Sequence, residues 1–314
     1  MTRRLATLLG VLVLLLSACG GATTLPSSPP TASATASPTA AAFPASLSDF
    51  QGRSVTVNAR PTRIVSIGPS ITEFLFALGA GDRVVGVDEF SDEPAAAKQI
   101  DKVGGVKVNV EKVVSLKPDL VLTVKFSDGT IESLVSAGLT VLVVDPQSIA
   151  DVSRTAVLVG KAVGADGAKL SSAIDAQLSS VKEKVASATA KPRVFHEVDA
   201  SDPTKPFTVG PGSYIQDLIV LAGGTNVAAN AGSAYPQLSL EEVVKDDPEV
   251  IVLGDADYGT TPDQVAARPG WSAITAVKNK KIFGVSDSLV SRPGPRVGDA
   301  ALAYAKLLHP EVFR

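Results

Sequence analysis

The sequence predicts an α/β protein built from two similar lobes, and two observations carry that expectation. The first is a repeat: 109-NVEKVVSLKPDLVL-122 returns as 239-SLEEVVKDDPEVIVL-253, offset by 130 residues, so that Glu111 falls on Glu241 and Pro118 on Pro248. The second is the alternation of apolar, β-branched runs with helical stretches along the folded chain, which points to mostly parallel sheets. Each copy of the repeat reads the same way. A polar cap (Asn109 or Ser239) starts a short helix, and Ser239 with Glu242 fits a capping box. A proline followed by an acid breaks the helix. The short apolar run after it suits a strand covered on both faces. One unit used twice, so far apart, favours two lobes over a solenoid, which needs short periods. Two lobes leave a cleft, a favoured place for a ligand.

The 314 residues carry 29 Lys and Arg against 32 Asp and Glu, a net charge of −3, so nothing electrostatic points to nucleic acid. Hydrophobic residues make up 45%, enough for real cores, and the length allows one large or two medium domains. Cys19 is the sole cysteine. An intrachain disulfide is therefore excluded, and an exported chain must be held by its cores alone.

Arg3 and Arg4 precede the apolar run 5–16, which leads into Leu16-Ser17-Ala18-Cys19. A basic start, a short apolar core and small residues before a cut make a secretory signal over 1–19. The run is too short for a comfortable membrane span. Leu-Ser-Ala-Cys resembles the bacterial lipoprotein signal, in which the cysteine is acylated and becomes the first residue. The alternative is an ordinary signal with a chance cysteine, which the position of Cys19 at the cut disfavours. Residues 20–49 read as an unstructured tether of Ala, Ser, Thr and Pro. As a coil of about 25 residues it reaches on the order of 25–30 Å. A lipid end and a flexible tether would hold a globular domain at a membrane without burying it there.

The globular part divides into an N-terminal lobe over 50–148, a helical link over 149–191 and a C-terminal lobe over 192–314. In the first lobe, 50–67 holds two alternating runs separated by Pro61, expected as a hairpin or a pair of edge strands. A buried helix follows over 68–81, with Ser70 and Glu73 placed as a capping box and Gly79 as its stop. Strands near 84–87, 120 and 139–145 and helices near 110 and 130–136 complete this lobe. The link is helical without strands, although Gly160, Gly164 and Gly167 can divide it. The second lobe opens with the strand 193-RVFHEV-198 and closes with a strand at 281–287 and a helix at 298–308.

Several phrases carry a resemblance to a known family: 63-RIVSIGPSITEFLFALGAGDRVVGVDEFSDEP-94, NVEKVVSLKPDLVL, 206-PFTVGPGS-213, 236-PQLSLEEVV-244 and 292-RPGPR-296. They resemble the class III solute-binding proteins, the substrate-binding subunits of ABC importers for vitamin B12, iron–siderophores and haem. The resemblance runs in order over roughly 50–312. It implies two Rossmann-like lobes with mostly parallel sheets, bridged by one long α-helix. In that family one surface glutamate on each lobe pairs with arginines of the permease dimer, and Glu111 and Glu241 fall on those positions. An acid in the first turn of a helix also offsets the helix dipole by about 0.3–1 kcal/mol. Its recurrence at equivalent positions of both lobes favours docking.

Ligands in α/β lobes gather outside the carboxyl ends of the strands. By that rule and by the resemblance, Phe90, Phe126, Phe207 and Tyr235 are placed at the cleft, where flat side chains suit large, partly apolar chelates. A phenylalanine after a strand is otherwise plain core. Arg292, with Arg296 behind it, could pair with a carboxylate or phosphate of the ligand; the alternative is a surface charge ahead of the last helix. The sequence departs from the B12-binding pattern in having Gly105 and Val124 where stacking tryptophans stand. It also lacks a haem-ligating tyrosine in 103-VGGVKVN-109. These departures leave the ligand open and tilt the expectation toward an iron chelate.

His196 and His309 are the only histidines, and neither a Walker-type phosphate loop nor a Gly-x-Ser-x-Gly elbow is present. An enzyme is the weakest reading, and a serine nucleophile served by His196 has no support. A carrier of bare zinc or manganese wants more His or Cys ligands than exist, and His196, Glu197 and Asp199 make a poor cluster. An adhesive lipoprotein on the same fold is a further alternative. The expected protein is a non-catalytic, monomeric binding lipoprotein outside the cytoplasmic membrane, anchored through Cys19. It would pass an iron(III)–siderophore or cobalamin-type chelate, or haem, to its permease. The chelate is cargo, and no cofactor is expected.

Overall fold

The computed structural model describes residues 43–313; the expected secretory signal, Cys19 and most of the expected tether lie outside the described residues. The chain enters through an antiparallel hairpin of β1 (Ala45–Ser48) and β2 (Ser54–Val57), with Leu47 opposite Val55. Residues 45–48 were expected in the tether. They form a strand because Leu47 and Val57 are buried in the central core, a contact that a single leucine among small residues does not announce.

The first lobe continues with β3 (Ile64–Ile67), α1 (Pro69–Ala77), β4 (Val84–Val87), α2 (Val110–Ser115), β5 (Leu120–Thr123), α3 (Thr130–Ser136) and β6 (Val141–Val143). Its sheet runs β4-β3-β5-β6, parallel throughout. β3 therefore lies inside the sheet, not at an edge or in a hairpin. Every residue of its Ile-Val-Ser-Ile is buried, and Ser66 is satisfied by Thr72 at 2.8 Å.

The expected single bridging helix is two helices, α4 (Ile149–Val163) and α5 (Gly167–Val185). Gly164, at φ 70°, ends the first, and the chain turns back. Ser153 Oγ donates to Asp175, which shows the two helices lying alongside each other. Their crossing is a backbone contact. A Cβ on Gly160 would stand 2.5 Å from the Cα of Gly167, and one on Gly167 would strike the carbonyl of Ala156. Residues larger than glycine would keep the helices apart.

The second lobe comprises β7 (Arg193–Asp199), β8 (Phe207–Thr208), α6 (Tyr214–Leu221), β9 (Thr225–Asn226), α7 (Leu240–Asp246), β10 (Val250–Leu253), α8 (Pro262–Ala266), α9 (Thr275–Lys278), β11 (Ile282–Gly284), α10 (Asp287–Val290) and α11 (Val297–Leu308). Its sheet runs β11-β10-β7-β8, with β9 also on β7, and only the β7–β8 pair is antiparallel.

The repeat offset persists in details the sequence pattern does not display. Lys117 and Asp247, the residues before the two prolines, both take left-handed conformations, at φ 49° and 42°. Arg63 and Arg193 stand at equivalent positions, 130 residues apart, where the chain enters β3 and β7. Each donates Nη2 to a carbonyl at the end of the helix, Leu116 or Asp247, at 2.7 Å. Each also donates its backbone N–H to the acid after the proline, Asp119 or Glu249, at 3.0 Å.

Alternate strand residues face different layers, as the two-residue period of a strand requires. Val121 of β5 and Ile251 of β10 point outward, into separate cores with Ile131 and Leu134 on one side and Val265 and Trp271 on the other. Their neighbours Leu120, Leu122, Val250 and Val252 point inward into one shared core, filled by α1, α4, α5, α6 and α11. The middle of the interlobe space is therefore packed solid. We expect Gly160→Val to force α4 and α5 apart and lower stability by about 1–3 kcal/mol, the usual cost of overpacking, measured as a shift in urea midpoint.

Candidate functional site

The interlobe space opens where the carboxyl ends of the strands meet. A cavity of about 600 Å³ lies there, a size suited to a small-molecule site. The N-terminal lobe contributes the residues that follow β3, β4, β5 and β6, among them Ser70, Glu89, Val124 and Asp145. Tyr235, Tyr258, Asp287 and Arg292 come from the C-terminal lobe. The position obeys the rule for open α/β sheets, applied twice to facing lobes.

A buried polar chain shapes the N-terminal wall. Asp88, at the end of β4, accepts the Gly68 N–H at 2.8 Å, the Ser91 hydroxyl at 2.6 Å and the Phe90 N–H at 2.9 Å. Ser91 bonds Thr72 at 2.8 Å, which ties the loop to α1. The loop from Glu89 to Asp92 is thus fixed to both β4 and the start of α1, and it presents Glu89, Phe90 and Asp92 to the cavity.

Two ion pairs cross between the lobes, one of them, Arg292 with Asp92, in the cavity wall. Arg292 donates Nη1 to Asp92 Oδ1 at 2.6 Å and Nη2 to the Phe90 carbonyl at 3.3 Å, and lies 3.6 Å from Glu73. Arg296 grips Glu73 with Nε and Nη2, each at 2.7 Å, and donates to the Ser288 carbonyl at 2.8 Å. Glu73 is nearly buried. It does not form the expected capping box, because Gly68 caps α1 without a side-chain bond and the carboxylate is turned to Arg296 instead. Gly294 permits this approach, since a Cβ there would sit 3.3 Å from Glu73 Oε2. Burial opposes ionisation of Asp92, but the hydrogen bond and charge of Arg292 prevail and hold its carboxyl below the usual carboxylate range. On the same lobe, burial raises the Asp145 carboxyl, with the charge of Lys125 pulling the other way.

The expected cleft residues divide. Phe90 and Tyr235 line the cavity and are 51% and 50% exposed, so their rings are free to meet a ligand. Arg292 lines it too, but with its guanidinium already on the opposite lobe. Phe126 does not reach the cavity and packs against the outer core of the first lobe. Phe207 lies on β8, bridged to Gln237 beside Tyr235, and is not among the cavity walls. Sequence reasoning missed Glu89, Asp92, Asp145, Tyr258 and Asp287. Each follows a strand end, so the same carboxyl-end rule, applied to polar residues as well as aromatic ones, would have found them.

Glu111 and Glu241 are exposed in the first turns of α2 and α7. The chain before α2 is bonded to the end of β4, through the Val103 N–H to the Val87 carbonyl. Before α7, Gln237 bridges Phe207, whose strand pairs with the end of β7 at Asp199. Both helices therefore start at the strand ends that bear the cleft, one glutamate on each lobe.

His196 is fully buried, with Nδ1 2.6 Å from the Tyr304 hydroxyl, and lies away from the cavity lining. Burial pushes its pKa down to about 3. Glu197 is held by Arg268 in a buried two-pronged pair. Among the described residues no cluster of three His, Cys, Asp or Glu is arranged to hold a metal ion, and no helix is long and apolar enough to cross a membrane.

Residues 64–289 match the family described as periplasmic binding protein. An uncharacterized ABC transporter substrate-binding lipoprotein of Bacillus subtilis, YvrC, is 34% identical over 279 residues, spanning 87% of this chain and 88% of its own. A cobalamin-binding protein of Halobacterium salinarum is 32% identical over 286 residues, spanning 86% of this chain and 75% of its own. Among solved structures, the periplasmic haem-binding protein RhuT from Roseiflexus, in apo form, superposes with a TM-score of 0.73 at 26% identity, over 80% of this chain and 98% of its own. The periplasmic vitamin B12 binding protein BtuF of Vibrio cholerae gives 0.69 at 25%, over 81% and 99%.

The His196 ring makes a testable contribution to stability. Its folded pKa lies below the unfolded value of about 6.5, so the contribution is complete above that pH and is lost as pH falls toward about 3. Between pH 6.5 and 4.5 the loss should be about 2–3 kcal/mol, visible in urea midpoints and reduced in His196→Gln.

Proposed function

We infer the function from one premise: this chain belongs to the periplasmic binding protein family. It is a substrate-binding protein of an ABC importer, of the group that serves vitamin B12, haem and siderophores, and it works outside the cytoplasm. Proteins of this family bind solutes without transforming them.

The proposed cargo is a corrinoid of the cobalamin type. The observation that carries this reading is the cavity wall, which offers the carboxylates of Glu89, Asp92, Asp145 and Asp287 beside Phe90, Tyr235 and Tyr258. A corrinoid presents a ring of amide N–H donors around an apolar macrocycle, and carboxylates and flat side chains suit those two features. Relatives named for cobalamin and vitamin B12 support the same cargo. The sequence alone tilted toward an iron chelate. The acceptor-rich wall reverses that order, and Glu89 sits in the space that a side chain at Gly105 would need, 2.6 Å from its Cβ. Calorimetric titration should give cobalamin a Kd at or below about 1 μM, on the order of −8 kcal/mol. Tighter binding of a ferric trihydroxamate or of haem would overturn the corrinoid assignment. Calorimetry is the method of choice because Trp271, the sole tryptophan, is buried in the outer core of the second lobe.

Docking is proposed to run through Glu111 and Glu241, which meet arginines of the permease dimer. Their matched places at the cleft-bearing end of each lobe support this role. Anchoring through a lipid on Cys19 belongs to the same proposal, by analogy with the Bacillus subtilis lipoprotein. Charge reversal of both glutamates should lower uptake by at least about tenfold while cobalamin affinity stays within about twofold, since rim charges act on encounter with the partner. An equal fall in affinity would remove the docking assignment.

A further inference from the structure

The charge arrangement in the cavity wall bears on which chelates are refused. Among the described residues lining the cavity, Arg292 is the single cation. A free arginine there would receive a ligand carboxylate or catecholate, for which its fork of donors is well matched. Here that fork is occupied. Nη1 lies 2.6 Å from Asp92 Oδ1, and Nη2 donates to the Phe90 carbonyl at 3.3 Å. The Arg292 side chain is 16% exposed, against 43% for Asp92. The acid therefore stands on the solvent side of the pair, where a ligand anion would have to arrive.

We propose that Asp92 is a specificity-determining residue, a built-in stand-in for a ligand anion that holds Arg292 and turns the cleft against anionic chelates. The inference rests on the reading of this cleft as the cargo site, and deepens it by naming what the site excludes. A ligand bearing carboxylates must displace Asp92 from Arg292 and then lie beside the freed acid, with Glu89, Asp145 and Asp287 also on the wall. A ligand that binds through amide donors meets neither obstacle. Like charges set side by side penalise a wrong partner and add to the discrimination that attractive contacts supply.

The test uses the folded chain with haem, a dicarboxylate, and haem dimethyl ester, an analogue whose two carboxylate charges are removed. Asp92→Asn leaves intact the Asp88 bonds that hold the loop, and it removes the charged partner 2.6 Å from Arg292 Nη1, with Glu73 still 3.6 Å away. The affinity ratio of haem to its ester should rise by at least roughly tenfold over the wild-type protein. Glu89→Gln removes the same charge without freeing an arginine and should move the ratio by less than about threefold. Adding Arg292→Gln to Asp92→Asn should bring the ratio down to the Glu89→Gln level. An unchanged ratio in Asp92→Asn overturns the proposal, as does a rise that survives the loss of Arg292. Cobalamin affinity of the wild-type protein judges the corrinoid reading separately. Absent cobalamin binding with a large Asp92→Asn effect would sink that reading and leave this one standing.

Discussion

One layer of helices serves as core for both sheets, and the remaining features follow from that sharing. Leu120 and Leu122 from one sheet and Val250 and Val252 from the other bury into the same cluster of α1, α4, α5, α6 and α11. Pulling the lobes apart would expose inward faces of both sheets, at about 25 cal/mol for each Å² of apolar surface returned to water. Wide hinge opening of the kind seen where domains join through loose strands is thereby opposed. Two ion pairs, Arg292 with Asp92 and Arg296 with Glu73, add a directional restraint between the lobes. Recognition then depends on loops above a rigid floor, and those loops are anchored by buried polar groups such as Asp88.

The duplicated unit explains how two acids more than a hundred residues apart come to serve the same face. In each lobe an arginine before the first central strand clasps the end of the helix that leads into the next strand. The same clasp, the same left-handed residue and the same acid after proline recur at equal spacing. With helix and strand locked in that order, the helix must begin at the carboxyl end of the sheet. Glu111 and Glu241 are carried to the rim by topology, and the shared helical layer then sets the two rims in one body.

The cleft shows how position alone leaves chemistry undecided. The carboxyl-end rule brought Phe90 and Tyr235 to the cavity but failed for Phe126, whose ring turns into the outer core a few residues beyond β5. A rule about strand ends predicts where a residue lies along the strand and says nothing about which face its side chain takes. Arg292 lines the same cavity, and its engagement with Asp92 was invisible in the sequence, since the two lie 200 residues apart.

By itself the sequence determined the two-lobed α/β plan, the helix caps at Asn109 and Ser239, the strands of the repeat and the end of α1 near Gly79. These depend on periodicity, capping and turn chemistry, which act within a few residues and are written locally. Tertiary structure alone decided that the two halves of the link pack backbone to backbone at the Gly160–Gly167 crossing, that β3 is central, and that Glu73 bonds Arg296 instead of capping its own helix. Each of those outcomes turns on which distant segment arrives alongside, and a buried carboxylate takes the strongest donor that the finished fold brings within reach.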